Sequence, residues 1–156
     1  MILDAKLVIC DETDITGAVS NAVTGDVLDL GTGGTNAFGA AQTPNIGEGG
    51  GVFFNLCCAG ADFANAGGTS DITFSLVTAT DSALTTSATV LAQKTSVDQT
   101  PNDGDMIWRV SVPGGLVLRY LGLVVNVADV NLSSGKISAW IGQQAETPLA
   151  PTNLKK

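Results

Sequence analysis

Gly67-Gly68-Thr69-Ser70-Asp71-Ile72-Thr73-Phe74-Ser75-Leu76-Val77-Thr78-Ala79-Thr80-Asp81 is the stretch that decides the fold class. A Gly/Ser/Asp turn leads into a β-branched segment, and a second acidic turn closes it. Ile72, Phe74 and Leu76 fall on one side of a pleat, with Thr73 and Ser75 on the other. This alternation predicts a half-buried strand of an antiparallel sheet.

Comparable segments recur outward from it. Leu7-Val8-Ile9-Cys10 reads as a strand or a docking arm, broken by Asp11-Glu12-Thr13-Asp14. Val27-Leu28-Asp29-Leu30 is a short strand ended by Gly31. Val52-Phe53-Phe54-Asn55-Leu56-Cys57-Cys58 is apolar on both faces and reads as a buried strand. Ser82 to Lys94 has helical spacing at Leu84, Ala88 and Leu91, but its Thr, Ser and Val content favours extended chain. Met106 to Val112 is a strand stopped by Pro113-Gly114-Gly115, and Leu116 to Val127 and Gly135 to Gly142 follow. About eight short strands at spacings of ~8–12 residues predict an all-β fold, a jelly roll or β-sandwich of antiparallel strands with little helix. The expected organisation is one domain over residues 1–146, opening on an N-terminal arm, and an extended tail over 147–156 that contains Pro148 and Pro151.

The composition agrees with that outline. In 156 residues there are 19 glycines, and only 14% of the residues are charged, against ~25% in an ordinary soluble domain. The net charge is −8, which repels phosphate backbones and argues against direct nucleic-acid binding. No segment approaches the ~18 consecutive apolar residues of a membrane span. Met1-Ile2-Leu3-Asp4-Ala5-Lys6 carries an early acid and no long apolar run, unlike a signal peptide. Cys10, Cys57 and Cys58 form an odd set whose adjacent pair points to opposite faces of a strand. They are expected to be reduced, buried hydrophobes.

The equipment of catalysis is sparse. The chain has no histidine, so the common general base, the Ser-His-Asp triad and His-ligated metal centres are excluded. No phosphate-binding glycine motif precedes a helix. Asp98, Asp103 and Asp105, with Asn102, cluster in a loop whose oxygens suit a hard cation, but a turn-rich connector explains the same residues. Asp11, Glu12 and Asp14 read as a solvated turn rather than a catalytic carboxylate pair. Trp108 and Trp140 sit in strands, where core packing is favoured over an exposed sugar-stacking row. No cofactor and no catalytic or metal-binding residue is expected, and the protein is read as a non-enzyme.

The segments Val27-Leu28-Asp29-Leu30-Gly31, Asn45-Ile46-Gly47-Glu48-Gly49, Ala66-Gly67-Gly68-Thr69-Ser70, Arg119-Tyr120-Leu121 and Gly135-Lys136-Ile137-Ser138-Ala139-Trp140-Ile141 occur in an order and spacing similar to a known family. From Met1 to about Gln144 the chain resembles the capsid cement, or decoration, proteins of short-tailed bacteriophages of the Bordetella-phage type. It departs from them in a longer 31–51 region and in the Cys57-Cys58 pair. The resemblance implies a jelly-roll structural virion protein that binds the outside of an icosahedral head. It also implies homodimers that clamp neighbouring major capsid proteins, assembled in a bacterial cytoplasm. A glycan-binding β-sandwich on a virion surface, with an exposed Trp108 or Trp140, is the alternative. Contacts with the capsid protein are assigned to the arm Met1, Ile2 and Leu3, to Phe38 in the glycine-rich segment, and to the turn Gly47, Glu48, Gly49, Gly50 and Gly51.

Overall fold

The computed structural model describes residues 7–17, 20–35, 37–40, 46, 51–65, 71–96, 101–128 and 131–142. They form ten strands: β1 (Val8–Asp14), β2 (Ala22–Asp29), β3 (Phe53–Cys58), β4 (Ala64–Asn65), β5 (Asp71–Ala79), β6 (Thr89–Ser96), β7 (Met106–Ser111), β8 (Tyr120–Ala128), β9 (Leu132–Ser134) and β10 (Lys136–Gly142). Eight of them make two four-stranded sheets, in the orders β1-β10-β3-β7 and β2-β8-β5-β6. The short β4 and β9 pair separately. All pairings are antiparallel. The fold is an all-β sandwich, as the sequence predicts, with two brief strands added to the expected eight.

The alternation along the central strands explains why the sheets face each other. Phe54, Leu56 and Cys58 of β3 and Ile137, Ala139 and Ile141 of β10 point inward. They meet Ile72, Phe74 and Leu76 of β5 and Leu121, Leu123 and Val125 of β8 in one continuous core. Fully burying a side chain of this size contributes about 1.5–3 kcal/mol. The inner row of β5 ends in Thr78, which is buried. Its Oγ1 donates to the Tyr120 carbonyl at 2.8 Å and accepts the Leu118 N–H at 2.8 Å.

The pairings are nested. The first strand lies beside the last, β2 beside β8, β3 beside β7, and β5 beside β6. This is a long antiparallel hairpin folded across itself, with β10–β3 and β8–β5 as the central ladders.

Three segments differ from their sequence reading. Asp11–Asp14 does not break the first strand but continues it, because register shifts accommodate the acids and Glu12 takes up a φ of 43°. The Glu12 N–H donates to Ser138 Oγ at 2.9 Å, and the Ser138 hydroxyl donates to Asp11. Extended chain over Ser82–Lys94 holds only from Thr89; residues 80–88 form a loop organised by Asp81. Its carboxylate accepts the Thr85 N–H at 3.0 Å, the Thr86 N–H at 2.6 Å and the Thr85 hydroxyl at 2.8 Å. That loop lays Leu84 on the outer side of the second sheet, against Val77 and Ala79. Finally, β2 starts at Ala22, upstream of the expected Val27, because Gly25 lets the strand bulge.

Gly25 also marks where β1 and β2 close one side of the sandwich. Its φ is +78°, and a Cβ there would lie 2.3 Å from the Ile9 carbonyl oxygen and 2.5 Å from Cys10 Cβ. Only glycine permits that approach. Gly25→Ala is therefore expected to destabilise the fold by at least ~2 kcal/mol. Calorimetry should then read a Tm lowered by about 4–8 °C; an unchanged Tm would show that the β1–β2 closure is not tight.

Candidate functional site

The acids of the 101–105 turn are engaged in holding that turn. In the 101–105 turn the Gly60 N–H donates to Asp103 Oδ1 at 2.8 Å, and the Asn102 N–H donates to Asp105 Oδ2 at 2.9 Å. The Asp103 N–H donates in turn to Asp62. The backbone of this turn is clipped to β3, since Cys58 N–H reaches the Asp105 carbonyl and Gly104 N–H the Cys58 carbonyl, both at 2.9 Å. Asp103 and Asp105 thus secure a turn. Among the described residues no group of three or more acids and cysteines is arranged to hold a metal ion. Asp98 lies outside those residues.

The three cysteines are free and buried. Desolvation pushes the thiols of Cys10 and Cys58 up to about 12 and that of Cys57 to about 11. Cys58 Sγ–H points to the Ala61 carbonyl at 3.2 Å. A thiolate, the reactive species, is scarcely populated at neutral pH. The tryptophans are withdrawn to different degrees. Trp140 is 4% exposed and packs with Cys57, Ala59 and Met106 on the outer side of the first sheet. Trp108 is partly buried against the core, edge-on to Phe54 with ring centres 5.3 Å apart. Trp140 and Asn55 are opposite each other in the β10–β3 register, and Trp140 Nε1 and Asn55 Oδ1 are buried without protein hydrogen-bond partners.

What remains at the surface is unevenly distributed. At one end of the sandwich, the loop pole, lie the connections β2–β3, β5–β6 and β7–β8, and there the chain enters β1 and leaves β10. The β2–β3 and β7–β8 connections are tied together where they start and end. The Leu30 N–H donates to the Arg119 carbonyl at 2.8 Å, and the Val112 N–H to the Val52 carbonyl at 2.9 Å. Arg119 grips Asp29 through two hydrogen bonds of 2.9 and 2.8 Å and lies 4.8 Å from the Tyr120 ring centre. The Gly31 N–H also donates to Asp29, at 2.9 Å. These bonds hold the Asp29 carboxyl at about 2, below its usual 3.8.

Among the described residues, five large apolar side chains are exposed: Leu7, Phe38 and Leu116 belong to this pole, Val90 stands beside Val77 on the outer face of the second sheet near it, and Val23 lies on β2. Phe38, on the β2–β3 connection, is 95% exposed, and Leu116, on the β7–β8 connection, is 62% exposed. Of the other residues assigned contacts from the sequence, Gly51 lies just before β3 with φ +87°. Met1, Ile2, Leu3, Gly47, Glu48, Gly49 and Gly50 lie outside the described residues. Leu116 was not singled out in the sequence. Its signal is the turn Pro113-Gly114-Gly115 ahead of Leu116-Val117, since only one of two adjacent apolar residues can turn inward, and Val117 does.

No family model and no curated protein matches the chain.

Two outcomes follow from this arrangement. In the folded protein at pH 8, a thiol-specific reagent should label the cysteines at least ~100-fold more slowly than in the unfolded chain; rapid native labelling would show an open thiol. The depressed carboxyls of Asp29 and Asp81 make a contribution to stability that is complete above the ordinary carboxylate value. It is lost as the pH falls, for Asp29 between about 4 and 2. Asp29→Asn should therefore flatten the acid side of the Tm-against-pH curve; a curve parallel to wild type would contradict the pairing with Arg119.

Proposed function

We propose that this protein is a non-enzymatic capsid cement protein that binds the outer surface of an icosahedral bacteriophage head and clamps neighbouring major capsid proteins. One observation carries this reading: the thiols are buried and the Asp103 and Asp105 carboxylates are spent on securing a turn, while the exposed apolar side chains Leu116 and Phe38 stand on connections at one pole. Such a surface offers complementarity as its working property. The nested strand order supports the finer description of the sandwich as a jelly roll, built from one folded hairpin. The resemblance of the glycine-rich segments to cement proteins supplies the partner, and it also suggests that copies act as homodimers. A capsid offers hundreds of equivalent positions on a rigid lattice. Copies that bridge two subunits then gain from effective concentration, and each interface can remain modest.

The reading is tested by mixing purified protein with expanded heads that lack it, followed by sedimentation and a thermal-release assay of the packaged DNA. Saturable binding and a higher release temperature are expected. Protein that stays in the supernatant at tens of micromolar, well above the Kd expected for a stable decoration, would overturn it.

A further inference from the structure

Resting on that reading, we infer that the molecule docks end-on through its loop pole, with Leu116 and Phe38 as apolar anchors, and turns its opposite pole away from the shell. The occupant of the loop pole is a protein surface of apolar recesses with little charge of its own.

The two ends of the sandwich differ in chemistry. Among the described residues the far end carries Glu12, Asp14, Asp62, Asp71, Asp103 and Asp105 against Lys136 and, two residues from the end of β6, Lys94. At the loop pole the described charges are Asp29, paired with Arg119, and Asp81, whose oxygens are taken by its own loop, with Asp26 and Arg109 nearer the middles of β2 and β7. Of the described residues, those at the far end are anionic in sum and those at the loop pole nearly neutral. Scattered exposed apolar residues carry no message, but gathered ones do. Burying the anionic end in a protein interface costs more, because each carboxylate loses water without a cation to replace it.

The broad faces of the sandwich are less suited. On the second sheet, Thr73 meets Thr95 and the Gln93 amide donates to Ser75, so cross-strand polar pairs cover that face. Leu84 covers part of the remainder. The first sheet has already buried its outer tryptophan.

Leu116 is presented rigidly. Val112 and Val117 on either side of it are sunk in the core, Leu118 is bonded to Thr78, and Arg119 is clamped to Asp29. With the flanks fixed, the exposed position of Leu116 is imposed by the fold, and little conformational entropy is lost when a partner covers it. The chain on either side of the described core also leaves from this pole. Residues 1–6 precede Leu7, and residues 143–156 follow Gly142, which pairs with Phe53. Both lengths are therefore tethered at the end that meets the shell.

The test compares four single variants, each with an unchanged Tm, on the same expanded heads. Leu116→Glu and Phe38→Ser should each weaken binding at least about tenfold, as expected for anchor residues. Asn131→Glu adds the same charge as Leu116→Glu but at the exposed far end, and should bind within twofold of wild type. Leu116→Met should restore most of the affinity. If wild type binds and Asn131→Glu is the damaging change, or if Leu116→Glu and Phe38→Ser both bind normally, end-on docking through this pole is overturned while the cement reading stands. If wild type itself fails to bind, the cement reading falls and this inference falls with it.

Discussion

The two central ladders, β3–β10 and β5–β8, hold the fold in register, and everything else is fitted around them. Both run without a register shift, from Phe53 to Cys58 in one case and along all of β5 in the other. Each of the other five pairings contains a shift or bulge. The reason is the core. A slip of one residue in a central strand would carry Phe54 and Leu56, or Phe74 and Leu76, to the outside and bring polar neighbours in. The outer strands bury less and tolerate an extra residue, and their bulges supply the bending that closes a twisted pair of sheets.

That division explains what was legible in the sequence. β5 was read almost to the residue because Ile72, Phe74 and Leu76 alternate with Thr73 and Ser75. β3 and β10 were recognisable from their apolar content on both faces. Of the peripheral strands, β7 is legible to within a residue, whereas in β1 and β2 bulging breaks the two-residue period on which such readings depend. β1 runs through acids that look like a turn, because the side chain of Ser138, distant in sequence, receives the Glu12 N–H and so stabilises the bulge. The loop over residues 80–88 imitates a helix by spacing and a strand by composition. Its actual form depends on the contacts of Asp81 with Thr85 and Thr86 and on space above Gly122, where a Cβ would lie 2.8 Å from Leu84 Cδ1. Such space is a tertiary property.

The loop pole was legible only in part. Phe38 stands out in a glycine-rich stretch, and an isolated aromatic there invites attention. That Leu116 belongs to the same end of the molecule follows from topology alone, because the β2–β3 and β7–β8 connections are widely separated in sequence yet leave the sandwich together. The acidic end shows the same effect. Glu12, Asp62 and Asp103 come from three different turns or strands and meet only after the hairpin folds over itself. Composition records eight excess negative charges, but it cannot record that most of the described acids are gathered at one end.

The separation of fold and surface bears on how such a protein tolerates change. Stability resides in the central ladders and their apolar rows, whereas the loop pole adds Val112 and Val117 to the core and packs Leu30, Ile46 and Val52 against it. Leu116 and Phe38 are largely exposed, so substitutions there leave folding largely untouched. The anchoring bonds of Asp29, Arg119 and Thr78 lie between these regimes. The Asp29–Arg119 pair is exposed and contributes modestly to stability, Thr78 is buried, and together they hold the backbone on the C-terminal side of Leu116. A docking surface of this kind relies on rigid presentation over large area, and when many copies act on one lattice, small losses per copy are multiplied across the shell.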